Sequence, residues 1–442
     1  MQINIIRLSI LIITTGILIF FMLNRRISPI KKIYYILMLI GIFIYSGIST
    51  TYEDLCEEYF GPFLVYIFVL TIGFLTSEKL PRLKIGNVNT RTFTSYLDTR
   101  RISDKLLIVL VILNFSYTIM QLSYPVNRWG SIFNITLSVV DIFEKQTVAR
   151  TGALYQIFYY VKLATNFFFY IAIYRLVDRK KVASAVLLFF LKIYLEIAVT
   201  HYVGRSGFLC YILFVMFIII YTKNTNKLLK KSIRTLTIFG ILFLVAVPLL
   251  YAYQFSRLGA TASNVSYGTS FAKLMQAETT YGRFYKRCIE LSSFSSFSDY
   301  VKWFITLPLP SAFFKFKESI ILANQALSES VLGIAKGESG FFIYLPSLLG
   351  EAFYVNGRIF YFVHALFIGL FSGKFCSMME SGTELGIANL WFASSFLLMG
   401  RGGSTGYISE CVNQMIFFLI LMFFIRRIRI RGFINFAINR DT

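Results

Sequence analysis

Charge is scarce in this chain and acidic charge scarcest: 22 Asp and Glu stand against 44 Lys and Arg, and charged residues make up 15% of a sequence that is 56% hydrophobic. That balance excludes an ordinary water-soluble domain, because a lipid phase must supply the apolar surroundings. Histidine occurs only twice, and Cys56, Cys210, Cys288, Cys376 and Cys411 show no close CxxC spacing, which disfavours a structural zinc site. Cys56 and Cys288 both fall on the outer side, where a disulfide is geometrically open but not the favoured state. There is no Walker A loop, HExxH, GxSxG or HxxxxD acyltransferase pattern, so nucleotide-driven and zinc chemistry are disfavoured and no cofactor or metal is expected. No internal repeat is visible, so the inverted-repeat logic of many transporters finds no support. No removable signal peptide is expected either: the first apolar run ends in Asn24-Arg25-Arg26 rather than a small-residue cleavage site.

What the chain has in quantity is apolar sequence. About 11 long runs, near 8–23, 33–49, 61–77, 106–122, 154–176, 183–203, 208–222, 235–251, 358–375, 387–400 and 411–425, are each about long enough to cross a bilayer. The fold class expected is an all-α polytopic integral membrane protein, with 1–442 forming a single membrane domain. More than half of the Lys and Arg lie in the alternate connections 24–32, 78–105, 178–182 and 223–234 and in the basic tail 426–442. The formal charge of +22 is therefore topological, and nucleic acid is not an expected partner. Those segments are assigned to the cytoplasm. The carboxyl terminus is then cytoplasmic and the amino terminus outside, together with Glu53, Asp54, Glu57 and Glu58. A further span within Ser131–Val140 would reverse the amino end.

Two outer connections, 123–153 and 252–357, are long enough to carry function, the second far longer than a linker needs. Its aromatic and apolar stretches predict helices in or near the interface, broken at Pro308, Pro310 and Pro346. Arginines placed near the outer leaflet are costly and therefore informative. Arg205 sits in the tight turn Gly204-Arg205-Ser206-Gly207, where a guanidinium beside exposed backbone N–H groups suits phosphate or pyrophosphate; the plain alternative is snorkelling to lipid phosphates. Arg401-Gly402-Gly403 repeats the pattern, and Arg257 counts for its position at the start of the long connection.

Tyr281-Gly282-Arg283-Phe284-Tyr285-Lys286-Arg287 mixes cations with aromatics, which suits a phosphate beside a stacked sugar ring or equally a solvated face of an interfacial helix. In Gly350-Glu351-Ala352-Phe353-Tyr354-Val355-Asn356-Gly357 a carboxylate lies in an apolar, Gly-interrupted segment. Glu351 is read there as a general base or as the structural partner of an outer arginine such as Arg358 or Arg401. His201 is the reserve base, against a plain role in packing. Lys162, Arg175 and Lys192 sit near span ends, and Glu196 four residues after Lys192 points to an intrahelical pair.

The eleven or so spans, the two enlarged outer loops, the Gly-Arg-Ser-Gly-Phe turn after the sixth span and the Gly350–Gly357 segment together resemble the O-antigen polymerases of the Wzy type, which polymerise oligosaccharide repeat units in lipopolysaccharide biosynthesis. The resemblance implies a fold similar to the GT-C membrane glycosyltransferases and a location in the bacterial inner membrane. It implies an enzyme that moves a growing polysaccharide from undecaprenyl pyrophosphate onto a new lipid-linked repeat unit at the periplasmic face. Arg205, Arg257 and Arg401 would then hold the pyrophosphate, Glu351 or His201 would deprotonate the acceptor, and Arg283, Tyr285 and Arg287 would bind glycan. Implied partners are undecaprenyl-pyrophosphate-linked oligosaccharides, membrane lipids, a chain-length regulator and a flippase. An O-antigen ligase needs nearly the same chemistry, and a lipid-linked oligosaccharide flippase or other transporter is the alternative of a different class.

Overall fold

The structure is a computed structural model, described for residues 3–53, 57–77, 99, 102–122, 153–200, 276, 279–307, 315–338, 340–379 and 390–427. Among these residues it is almost wholly helical, with 12 α-helices: α1 (Ile5–Asn24), α2 (Pro29–Ile42), α3 (Phe60–Thr76), α4 (Asp104–Leu122), α5 (Ala153–Asp178), α6 (Val182–Thr200), α7 (Tyr285–Glu290), α8 (Phe294–Ile305), α9 (Ala323–Leu332), α10 (Ser347–Met379), α11 (Leu390–Gly402) and α12 (Ser404–Arg427). Six helical stretches among the described residues are long and apolar enough to cross a membrane: Ile5–Asn24, Ile30–Thr51, Glu57–Thr76, Gln156–Asp178, Ser347–Ser377 and Ser404–Ile425. The sequence-based spans at 106–122, 183–203 and 387–400 also coincide, over their described residues, with the helices α4, α6 and α11. The spans at 208–222 and 235–251, the outer connection 123–153 up to its last residue, and the basic tail beyond Arg427 lie outside the described residues.

The side-chain pattern of α1 shows why the medium must be lipid. Leu11, Thr15, Leu18 and Met22 form one narrow buried stripe, while Ile5, Ile6, Ile12, Ile13, Ile17 and Phe20 are exposed. In water so much exposed apolar surface would drive association; in a bilayer it is the stable arrangement.

The chain divides into two compact units where the sequence suggests one domain. The first comprises 1–83, 271–378 and 392–412. Here α3 runs beside the second half of α10, and the helices approach closely because glycines face each other: a Cβ on Gly73 would lie 2.6 Å from the Leu366 carbonyl oxygen. Gly41 of α2 and Gly400 of α11 allow a similar approach. At one end of this unit Asn4 N–H donates to the Thr51 carbonyl, Arg7 pairs with Glu57, and Arg358 pairs with Glu58 at 3.0 Å.

In the second unit, 84–270, 379–391 and 413–442, α4 and α5 pack antiparallel. Arg175 reaches the carbonyls of Ile102 (2.7 Å) and Thr99 (2.9 Å) and also Asp104, so it clamps the start of α4. Lys192 of α6 is buried, donating to Asn114 (3.0 Å) and Asn166 (3.4 Å) with its ammonium over the Phe169 ring. The side chain of Glu196, its expected partner, lies outside the described residues.

Candidate functional site

The site is built on a break in α10. Pro346 precedes the helix, Ser347 starts it at φ 59°, and Gly357 interrupts it at φ 70° and ψ −176°, a conformation that a side-chain-bearing residue resists. The chain doubles back there: Phe353 faces Tyr361 with ring centroids 5.4 Å apart, and Glu351 meets His364. A straight helix would hold Glu351 and His364 about 20 Å apart along its axis. Instead Glu351 Oε2 lies 3.4 Å from His364 Nε2, both side chains fully buried. That separation exceeds an ordinary hydrogen bond, and the contact is electrostatic. Tyr66 of α3 holds the other ring nitrogen, with its hydroxyl 3.1 Å from His364 Nδ1.

The carboxylate of Glu351 serves the start of α12. Ser404 N–H donates to Oε2 and Thr405 N–H donates to Oε1 at 3.2 Å, so a negative charge from another helix satisfies donors that a helix N-terminus leaves open. The approach depends on Gly403, which turns the chain from α11 into α12 at φ 83°; a Cβ there would come within 3.0 Å of the carboxylate. Tyr300 of α8 adds a hydroxyl contact to Ser404 Oγ at 2.8 Å and lays its ring 5.5 Å from that of His364. Burial, and then the Glu351 charge, raise the Tyr300 phenol well above its ordinary pKa and push the nearby Cys288 thiol up to about 12. Glu351 and His364 are both buried, and Glu351 presents no solvent-exposed face to an acceptor hydroxyl.

The described contacts of Glu351 do not include either outer arginine expected as its structural partner. Among the outer arginines, Arg358 pairs with Glu58, and Arg401 donates from Nε to the Tyr281 hydroxyl at 2.7 Å. Arg401 is half-buried at the carboxyl end of α11, two residues before the turn that Glu351 holds. Glu351 therefore fixes the α11–α12 junction, and with it the backbone that carries Arg401.

The proposed glycan ligands separate. Tyr285 is completely buried, its hydroxyl donating to the Ser46 carbonyl at 3.2 Å and 3.3 Å from Ser347 Oγ, so its ring is a packing element with no free face for a sugar. Arg287 is exposed and engaged by Glu290 (3.0 Å) and Ser330, while Arg283 is exposed over the Phe284 ring. His201, Arg205 and Arg257 lie outside the described residues. Cys288 is a buried free thiol, and Cys56, read from the sequence as its possible disulfide partner, lies outside the described residues. His364 escaped the sequence reading, although one of two histidines in the chain, set inside an apolar run, is the kind of intramembrane polar residue that marks a site.

Comparison of the chain with protein-family profiles, curated proteins and solved structures gives no match. The functional reading therefore rests on the residues themselves.

Proposed function

We propose that this multi-pass membrane protein is a glycosyltransferase that polymerises lipid-linked oligosaccharide repeat units, using an undecaprenyl-pyrophosphate donor at the periplasmic face of the bacterial inner membrane. The observation that carries the reading is the Glu351–Gly403–Arg401 arrangement, in which a buried carboxylate sets the turn beside a glycine-flanked guanidinium. It lies at the end of the bundle that carries Glu57, Glu58 and Arg358, and the distribution of basic residues assigns that end to the outside.

The chemistry needs little more than placed charge. The donor brings its own leaving group, so the protein must stabilise charge developing on the pyrophosphate and accept a proton from the attacking hydroxyl. Arg401 takes the first task together with Arg205 and Arg257. Glu351 is best described as a positioning residue acting through the α11–α12 turn, which leaves His201 as the proton acceptor. Losing one guanidinium contact should lower turnover by about 10²–10³-fold.

The test is the surface-glycan ladder after deletion of the gene and complementation on a plasmid. A polymerase leaves core carrying a single repeat unit, and the complementing gene restores the ladder. Core with no repeat would instead indicate a ligase or flippase, and an unchanged ladder would reject the reading.

A further inference from the structure

One nitrogen of His364 is buried and unsatisfied. The residue sits in the second half of α10, and its two ring nitrogens have different surroundings. Nδ1 stands 3.1 Å from the Tyr66 hydroxyl, which can donate to it or accept from it. Nε2 has no hydrogen-bond partner among the described residues and faces Glu351 Oε2 at 3.4 Å. A buried ring nitrogen without a partner carries a free-energy cost, and native interiors rarely keep such a group without a use for it.

Glu351, across that gap, is short of counter-charge. Among the described residues its polar contacts are the Ser404 and Thr405 N–H groups and His364, with no lysine or arginine. The start of α12 supplies about half a positive charge. An imidazolium would supply the rest. Oε2 accepts from Ser404 N–H with one lone pair and keeps a second, so a proton on Nε2 can complete a hydrogen bond without displacing the turn. The Tyr66 hydroxyl fits both states of the ring, donating to a bare Nδ1 and accepting from a protonated one. The other titratable groups facing the ring are phenols: Tyr66 of α3 and Tyr300 of α8, with centroids 6.2 Å and 5.5 Å from that of His364. Tyr285 and Cys288 of α7 lie beyond them, in electrostatic contact with Tyr66 and Glu351 respectively. None of these groups is cationic, so the charge that an imidazolium would meet is that of Glu351.

We propose that His364 is a proton-operated clasp: on taking up a second proton it becomes the counter-ion of Glu351 and ties both halves of α10 to the turn that carries Arg401. Histidine is the side chain whose charge changes between about pH 5 and 8 in ordinary surroundings. One proton passes from solvent to the ring, and no covalent bond between heavy atoms is made or broken. The sign follows from the pair itself. Its hydrogen bond exists where the ring is charged and the carboxylate ionised, so the contribution is present on the acid side of neutrality and is lost as pH rises. That the clasp also governs turnover, by holding the backbone of Arg401, rests on the glycan-transfer reading; the clasp itself does not.

The test uses the full-length protein in detergent. Because the chain has two histidines, isotopic labelling of histidine nitrogen gives two ring systems in the magnetic resonance spectrum. His364→Gln, which keeps a donor toward Glu351 but cannot titrate, assigns them. The His364 ring should have both nitrogens protonated at about pH 6 and one at about pH 8, and Glu351→Gln should deplete the doubly protonated form at about pH 6. The melting midpoint of wild type minus that of His364→Gln should fall by several degrees across the same interval, the other titrating groups being common to both proteins. If His364→Gln does not fold, His201→Gln assigns the signals and the wild-type spectra carry the test. A ring protonated once at both pH values, or a midpoint difference that is flat or grows with pH, overturns the clasp. The glycan ladder is read separately: an unchanged ladder on gene deletion with His364 titrating as stated refutes the polymerase reading alone, and the converse refutes the clasp alone.

Discussion

Replacing Glu351 with Gln separates a positioning role from a reactive one. The substitution keeps the size of the side chain but removes its charge and turns an NH2 group toward a backbone donor it cannot accept from. One of the two N–H groups at the start of α12, Ser404 or Thr405, then loses its acceptor in a site where Glu351 and His364 exclude water. A hydrogen bond to a charged group contributes about 1.5–3 kcal/mol, and an unsatisfied buried donor costs about 1–3 kcal/mol. These ranges overlap in what they count, and a loss of roughly 2–4 kcal/mol is expected. Heating the detergent-purified variant and following intrinsic tryptophan fluorescence and the remaining monodisperse fraction should show a midpoint several degrees below wild type. The exposed Glu58→Gln change, which removes a surface ion pair with Arg358, should cost no more than about 1 kcal/mol. If Glu351→Gln melts like wild type and yet abolishes the glycan ladder, the carboxylate is a participant in the chemistry and the positioning account is wrong.

Gly403→Ala should destabilise more than Gly333→Ala: both glycines have positive φ, worth about 1–2 kcal/mol of strain, but a methyl group at 403 also meets the Glu351 carboxylate whereas at 333 it meets nothing within 4 Å. Equal midpoints for the two variants would mean that the carboxylate does not sit against the turn. Cys288, with its thiol pKa pushed up to about 12 by burial and by Glu351, stays neutral far above physiological pH. Peptide mapping after N-ethylmaleimide treatment at pH 8 should find it unmodified in the folded protein and modified after denaturation. Gly73→Leu should prevent the close approach of α3 to α10 and abolish the monodisperse protein, and normal yield and melting would refute that packing.

The helices were legible from the sequence wherever an apolar run met an unambiguous stop. Asn24-Arg25-Arg26 ends α1 and the acidic stretch ahead of Phe60 precedes α3, whereas α10 begins at Ser347, inside the connection expected to run to 357. The long outer connection does hold helices, α7, α8 and α9. The direction of α8 was not legible, because descent beside α10 depends on Phe304 meeting Phe367 some sixty positions away. The role of Glu351 was hidden for a similar reason. Gly357 reads as one more glycine near a charged segment, and only its left-handed backbone folds Glu351 onto His364 and leaves the carboxylate facing α12. The Arg-Gly-Gly pattern at 401–403 was read for phosphate binding, whereas the structure shows that Gly403 makes room for Glu351.

Reconstitution tests the central claim most directly. The purified protein in proteoliposomes, supplied with undecaprenyl-pyrophosphate-linked single repeat units, should produce lipid-linked glycans of two or more repeats and release undecaprenyl pyrophosphate in step, with Arg401→Ala slower by about 10²–10³-fold. Repeat units recovered unelongated from liposomes whose protein is folded and correctly inserted would contradict the polymerase account.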